Sequence, residues 1–552
     1  MIQLNYIKEF VEKSIKNSWE QNAFSDYKGK TFTYKEVAIE IERIHHIFKA
    51  WEINRGDKVA MIGRNNSNWA IAYLATVSYG AVVVPILADF TADDIHHIVT
   101  HSDSVFLFAG DSIWENLQFA SMPLLKVALS LENYAILDNR NSKLAEKQTK
   151  DVSDFEADKG SVTKESINYP NIDNSELAVI SYTSGTTGFS KGVMLQHNSL
   201  AANVDFGRTN IGIKSGDEIV SFLPLAHAYG CAFEFLMPFS VGCHITFLTK
   251  IPSPNIILQA FQEIKPRLVL AVPLIIEKMY KKKILPLISK PTFKVLTKVP
   301  IVSGKINQKI NKKLSDAFGG NFIEIVIGGA PLSKEVEDFL RKIGFRFTIG
   351  YGMTECGPLI SYSGWQTTKP YSCGKYLPTL EINIDSPDSQ TSVGEILIRG
   401  ENVMVGYYKN EEATNSTIKD GWLHSGDLGI IDSEGFIFIK GRCKSMLLGA
   451  SGQNIYPEEI EAKINNMPFV QESIVLEKEN RFIALIYPDM EAIDNAHLTD
   501  SQIAEQMEHN RIEVNKTLPQ YCQISKVKLY PQEFEKTPKK SIKRFLYQIS
   551  EE

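Results

Sequence analysis

Residues 182–197 read YTSGTTGFSKGVMLQH, the end of an apolar run followed by small hydroxyl residues and glycines around one lysine, Lys191. The run before it, ELAVISY, is β-branched and reads as a buried strand. A strand that delivers Thr183, Ser184, Gly185, Thr186, Thr187 and Gly188 into a tight turn presents backbone N–H groups and hydroxyls together, which suits wrapping a chain of phosphates. It is not a Walker A loop, because Ser190 stands where the second glycine belongs and Gly192 where the hydroxyl residue belongs. Taken alone, the same residues also fit a plain flexible Ser/Gly turn.

Outward from this stretch, short apolar runs alternate with helical periods: DKVAMIG, a helix from Trp69, AVVVPI, a helix from Thr91, and SVFLFAG. This alternation predicts an α/β domain built on a mostly parallel sheet. EIVSFLP, RLVLAVP, FIEIVIGG and FRFTIGYG continue it beyond Lys191. Trp69–Ala88 carries no formal charge over a length that could span a bilayer. Gly80 divides it into a helical half and a β-branched half, the pattern of a buried helix turning into a buried strand, and the pattern recurs over Phe233–Phe247. The polar stretch from Asn139 to Glu176 reads as a surface excursion. From Tyr371 strands and turns follow and close the large domain; after Gly441 comes a smaller α+β set ending in a terminal helix. The expected boundary lies at Arg442–Lys444, giving domains 1–442 and 443–552.

At 552 residues the chain is too long for one core. A net charge of −6 argues against a nucleic-acid partner, since such proteins draw affinity from basic surfaces. The six cysteines never form CxxC, so neither a zinc knuckle nor a disulfide framework is indicated, and reduced thiols in a cytoplasmic protein are expected. The amino terminus lacks the continuous apolar core of a signal peptide.

YTSGTTGFSKGVML resembles the phosphate-loop signature of the adenylate-forming (AMP-binding) superfamily, which includes acyl-CoA synthetases, firefly luciferase and the adenylation domains of peptide synthetases. FLPLAHAYG (222–230), IGYGMTECGP (349–358), GWLHSGDLG (421–429) and IFIKGRCKSMLLGASGQNIYPEEIE (437–461) match further motifs in the family's order. The resemblance implies a large amino-terminal adenylation domain of several subdomains, with parallel sheets and a β-rich portion, and a small mobile α+β carboxy-terminal domain. It also implies the chemistry. A carboxylate attacks the α-phosphate of ATP, pyrophosphate leaves, and a thiol then attacks the acyl-adenylate; positioning and charge stabilisation do most of this work.

By resemblance, Thr183, Ser184, Gly185, Thr186, Thr187 and Lys191 cradle the β- and γ-phosphates, and Glu355, paired with Thr354, holds Mg²⁺ with help from Thr183. Tyr351 stacks on adenine, Gly329 and Ala330 line its other side, Asp427 accepts the ribose hydroxyls, and Arg442 adds a cation beside ribose and phosphate. By resemblance His227 sits at the mouth of the acyl pocket, although a lone histidine in an apolar run also fits a satisfied core residue; the wording LPLAH resembles long-chain acyl-CoA synthetases more than acetate- or aryl-activating relatives, so a fatty acid is the expected substrate. Lys444 marks the hinge, and Gly449–Gly452, Gly452 included, line the channel for the pantetheine thiol. The family's carboxy-terminal lysine aligns with Ser541 in TPKKSIKR, which leaves Lys540 or Lys543 to replace it.

Coenzyme A is the expected acceptor, with an acyl carrier protein as the alternative. A non-catalytic nucleotide-binding homologue and a luciferase-like oxygenase are the readings from other classes. Between Lys278 and Lys313 stand eleven lysines and no acidic residue, interleaved with apolar side chains. That composition suits either a solvated face or a peripheral contact with an anionic membrane, at the inner membrane face for a cytoplasmic enzyme.

Overall fold

The computed structural model describes residues 4–183, 191–250, 253–288, 300–448, 454–478, 481–536 and 542–547. They fall into two compact units, one formed by 4–183, 191–381 and 399–421, the other by 382–398 and the residues from 422 onward. The β-rich strands from Ile382 therefore cluster with the carboxy-terminal residues.

The first unit is organised by an eight-stranded sheet in the order Gly406–Tyr407, Lys191–Gln196, Leu177–Thr183, Val82–Ile86, Lys58–Ile62, Ser104–Ala109, Val127–Ser130, Ile136–Asn139. Its middle is parallel and its margins antiparallel. The uncharged stretch after Trp69 becomes helix Ser67–Tyr79, closed by Gly80 in the left-handed region (φ 89°), and then the wholly buried strand Val82–Ile86. Nearly every side chain of that helix is buried, as expected of a helix apolar all round. No described helix is long and apolar enough to cross a membrane.

The repeat of this pattern ends the same way, at Gly242 (φ 95°), before strand His244–Phe247. That strand joins Glu218–Ser221, Asn22–Asp26 and Thr31–Thr33 in a second sheet. A third, parallel sheet pairs Val269–Ala271, Ile325–Ile327 and Phe347–Ile349. The polar stretch after Asn139 is more ordered than its composition announces. Residues Ser142–Asp158 form a helix pinned by Phe155 and by Gln148, whose Oε1 accepts the Trp51 indole N–H at 2.5 Å.

Helix Pro300–Ala317 exposes Lys305, Lys309, Lys312 and Lys313. Spacings of three and four residues put these four on one side, while Leu314 packs into an apolar cluster with Phe318 and Leu340.

In the second unit Trp422–Ile431 pairs antiparallel with Gly394–Gly400 and with Ile437–Arg442. A separate three-stranded sheet, Val470–Lys478, Arg481–Pro488 and Ile524–Leu529, packs against helices Pro457–Asn465 and Asp500–Asn515. Instead of the expected terminal helix, the described residues hold only a short 3₁₀ turn, Arg544–Leu546. Arg544 is tied to buried Glu461, whose Oε1 also accepts the Val475 amide at 2.6 Å.

Burial pushes the Glu461 carboxyl up to about 7, against the opposing pull of Arg544. The folded state thus keeps this proton where an unfolded glutamate has lost it. Its contribution is fully present at acid pH, declines as pH rises from the unfolded value near 4.5 through 7, and is flat above. Glu461→Gln is expected to lie within about 1 kcal/mol of wild type at pH 5 and to exceed it by roughly 3 kcal/mol at pH 8. Urea unfolding at both pH values checks this, and an equal offset at the two would contradict it.

Candidate active site

Strands Leu177–Thr183 and Lys191–Gln196 run side by side with Thr183 opposite Lys191, so the two ends of the Ser/Thr/Gly turn are fixed together. Gly192 is required here because a Cβ would lie 2.9 Å from Ile180 and 3.1 Å from the Tyr182 ring. Strand Gly406–Tyr407 adds to the free side of Lys191–Gln196, Tyr407 opposite Val193. That places the Lys191 ammonium over the Tyr407 ring, 4.7 Å from its centre.

Glu355 lies in the 3₁₀ turn Thr354–Cys356, half-buried, and its Oε1 accepts the Tyr407 hydroxyl at 3.0 Å. The turn is held from below by fully buried amides. Asn203 donates to the Cys356 carbonyl (3.2 Å) and accepts from the Leu359 amide (2.8 Å), while Asn402 donates to the Leu359 carbonyl at 3.1 Å. Ser199, on the same helix as Asn203, donates to the Asn402 carbonyl at 2.7 Å, so helix His197–Asn210 carries the whole arrangement. Gly357 has φ 62° and leaves no room for a side chain, since a Cβ would meet Ser199 Oγ at 2.3 Å. The structure thus brings Lys191 and Glu355 together on Tyr407, a residue the sequence motifs do not single out, with Thr183 paired to Lys191 across the strands.

A carboxylate is the hard-oxygen donor that Mg²⁺ takes when it also binds substrate phosphates. Glu355 and its neighbours fit that ion.

Gly329 and Ala330 follow strand Ile325–Ile327, and Tyr351 follows its parallel neighbour Phe347–Ile349, in register Ile327 with Ile349. They leave the same carboxyl edge of one sheet, the place where α/β folds bind ligands. Gly329 adopts φ 87° and is exposed with Ala330, whereas Tyr351 is buried.

His227 stands half-exposed at the start of the helical segment from Ala228, its amide bonded to the Pro224 carbonyl at 2.9 Å. The loop before it is clamped twice. Asn65 bonds the backbone of Leu223 and Leu225 at 2.7 and 3.0 Å, and buried Glu234 accepts the amides of Phe222 and Leu223 at 2.9 Å. Burial pushes the Glu234 carboxyl far up. Next to this loop is a small apolar pocket. The loop and following helix contribute Leu225, Ala226, Ala228, Cys231 and Ala232, the central sheet Val179 and Leu195, and Gly357 links it to the Glu355 turn.

In the second unit, strand pairing sets Asp427 opposite Arg442, and the guanidinium Nε lies 2.9 Å from the buried carboxylate. Asp427 is held in the turn by its own amide, which donates to Ser425 Oγ at 3.0 Å, and Gly426 precedes it with φ 72°. Ser184, Gly185, Thr186, Thr187, Gly452 and Lys540 lie outside the described residues, as do Ser541 and the side chain of Lys444.

Comparison with known proteins gives consistent results. Residues 11–408 match the AMP-binding enzyme family and residues 444–548 the AMP-binding enzyme C-terminal domain. Long-chain-fatty-acid--CoA ligase FadD15 of Mycobacterium bovis is 28% identical, over 82% of this chain and 76% of the relative. Putative acyl-CoA synthetase YngI of Bacillus subtilis is 30% identical, over 76% of this chain and 75% of its own. Among solved structures, the anthranilate CoA ligase AuaEII in complex with anthranoyl-AMP superposes with a TM-score of 0.79 at 17% identity, covering 98% of this chain and 96% of that one.

Proposed function

Because the chain belongs to the AMP-binding enzyme family, we propose that it activates a fatty acid with ATP to the acyl-adenylate and transfers the acyl group to the thiol of coenzyme A, releasing AMP. The observation that carries this reading is the placement of Lys191 and Glu355 on one tyrosine, at the base of the Ser/Thr/Gly turn. Lys191 and the turn from Thr183 neutralise and orient the phosphates; Glu355, with Thr354 beside it and Thr183 at the turn's edge, would hold Mg²⁺. Bound there, Mg²⁺ would offset charge on the phosphate oxygens as pyrophosphate departs. Tyr351, Gly329 and Ala330 receive the adenine, and Asp427 and Arg442 the ribose, the carboxylate accepting both hydroxyls. His227 stands by the substrate carboxylate. Lys444 serves as hinge between domains 1–442 and 443–552, and Gly452 borders the thiol's path. An acyl carrier protein offers the same phosphopantetheine thiol and is the competing acceptor.

A carboxylate panel with ATP and CoA tests the reading. Thioester, AMP and pyrophosphate in equal amounts are expected, and ADP as product would sink it. Within that panel, the apolar cavity beside His227 is assigned to the acyl chain. Ala232→Trp is expected to lower kcat/KM for the longest acids used by about 10-fold or more, since each methylene excluded from an apolar pocket costs that much, with short acids little changed. A uniform drop across chain lengths would place the acyl chain elsewhere.

The lysines exposed along helix Pro300–Ala317 support a peripheral contact with an anionic membrane. Changing Lys305, Lys309 and Lys313 to glutamine is expected to weaken binding to anionic vesicles at low salt by about 10-fold or more, at about 1 kcal/mol per lysine before screening. Equal sedimentation of variant and wild type would exclude the contact.

A further inference from the structure

Tyr407 touches both charged side chains on which the adenylation reading rests. Its hydroxyl donates to Glu355 Oε1 at 3.0 Å, and the face of the same ring carries the Lys191 ammonium 4.7 Å from its centre. The two contacts reinforce each other, because a carboxylate drawing on the phenol O–H enriches the ring in electron density and so strengthens its hold on a cation.

The side chain is only 7% exposed and its backbone is fixed from two directions. Strand pairing sets Tyr407 against Val193, and its amide donates to Thr414 Oγ1 at 2.9 Å. Gly406 makes that approach feasible, since a Cβ there would lie 2.7 Å from the Thr414 methyl.

We propose that Tyr407 is a positioning residue for adenylation, its hydroxyl aiming the Glu355 carboxylate at the metal and its ring aiming the Lys191 ammonium at the phosphates. One side chain thereby sets both charges before nucleotide arrives. The proposal rests on the roles given to Glu355 and Lys191 above.

Two variants separate the halves of the device. Tyr407→Phe keeps the ring and loses the hydroxyl; Tyr407→Leu loses both. The readout is binding of a fluorescent ATP analogue with and without Mg²⁺, followed in parallel with ATP–pyrophosphate exchange. Tyr407→Phe should raise the half-saturating Mg²⁺ concentration about 10-fold, the size expected for a lost hydrogen bond to a charged group, and leave metal-free nucleotide affinity within about 2-fold. Tyr407→Leu should in addition weaken metal-free affinity by about 3-fold or more. In a Glu355→Ala background, Tyr407→Phe should add less than about 2-fold.

The ratio of metal-bound to metal-free affinity does not depend on the fraction of protein folded, so partial unfolding cannot mimic the result. A Tyr407→Phe titration coinciding with wild type, or an undiminished effect in the Glu355→Ala background, overturns the inference alone. Wild-type protein without metal-dependent nucleotide binding overturns the adenylation reading, and this inference with it.

Discussion

Glu355→Ala is expected to lower ATP–pyrophosphate exchange about 10³-fold while leaving the melting temperature within a few degrees of wild type. The size follows from what the carboxylate does. A preorganised charge in a site that excludes water is worth on the order of 10²–10³ in rate, and Glu355 is also the assigned metal ligand. Folding should be spared because the turn is secured by Asn203, Asn402 and Ser199 through backbone atoms of Cys356, Leu359 and Asn402, and by the bond from the Met404 amide to the Glu355 carbonyl (2.8 Å). Its side chain contributes one half-buried hydrogen bond, from Tyr407. Glu355→Gln sharpens the test, since the amide oxygen can still accept from Tyr407. If the glutamine variant is as slow as alanine, charge is the requirement; if it exchanges within about 5-fold of wild type, Glu355 is a structural acceptor and the assigned role fails.

Much of the fold is visible in the chain because its signals are local. Gly80 and Gly242 end helices with positive φ, and β-branched runs such as VVVPI follow each time. The Ser/Thr/Gly stretch, Glu355 and Asp427 stand out in the sequence because each sits in a short motif whose residue types suit the task proposed for it. What escaped is non-local. Tyr407 matters only because a two-residue strand joins the edge of a sheet beside Lys191, and nothing in VGYYKN encodes that pairing. The clamps Asn203 and Asn402 look like ordinary polar residues, and only burial reveals that their amides replace missing backbone partners. The helix Ser142–Asp158 was hidden by polarity, having only Gln148 and Phe155 buried. Where a terminal helix was expected, the described residues form a short turn whose Arg544 is tied to Glu461.

Lys540→Ala is expected to slow adenylation about 10²-fold and leave thioester formation from a supplied acyl-adenylate within about 2-fold, whereas Lys543→Ala should do little to either. The carboxy-terminal stretch offers several ammonium groups for the α-phosphate, and among the described residues Lys536 and Lys543 are engaged elsewhere. Lys536 is paired with Glu472 at 2.7 Å and Glu533 at 2.5 Å. The Lys543 amide donates to the Glu535 carbonyl at 2.8 Å and its ammonium lies 3.6 Å from the Glu535 carboxylate, while Arg544 is held by Glu461. The isolated bridge between Lys536 and Ile542 pairs the two described residues that flank the stretch holding Lys540 and Ser541, which itself lies outside the described residues. A cation supplied by Lys540 would act only when the acyl phosphate bond is being made, so its loss should appear in the first half-reaction and not the second. Collapse of adenylation in Lys543→Ala with Lys540→Ala unaffected would move the role to Lys543. Equal loss in both half-reactions would mean that Lys540 supports the domain and not the chemistry.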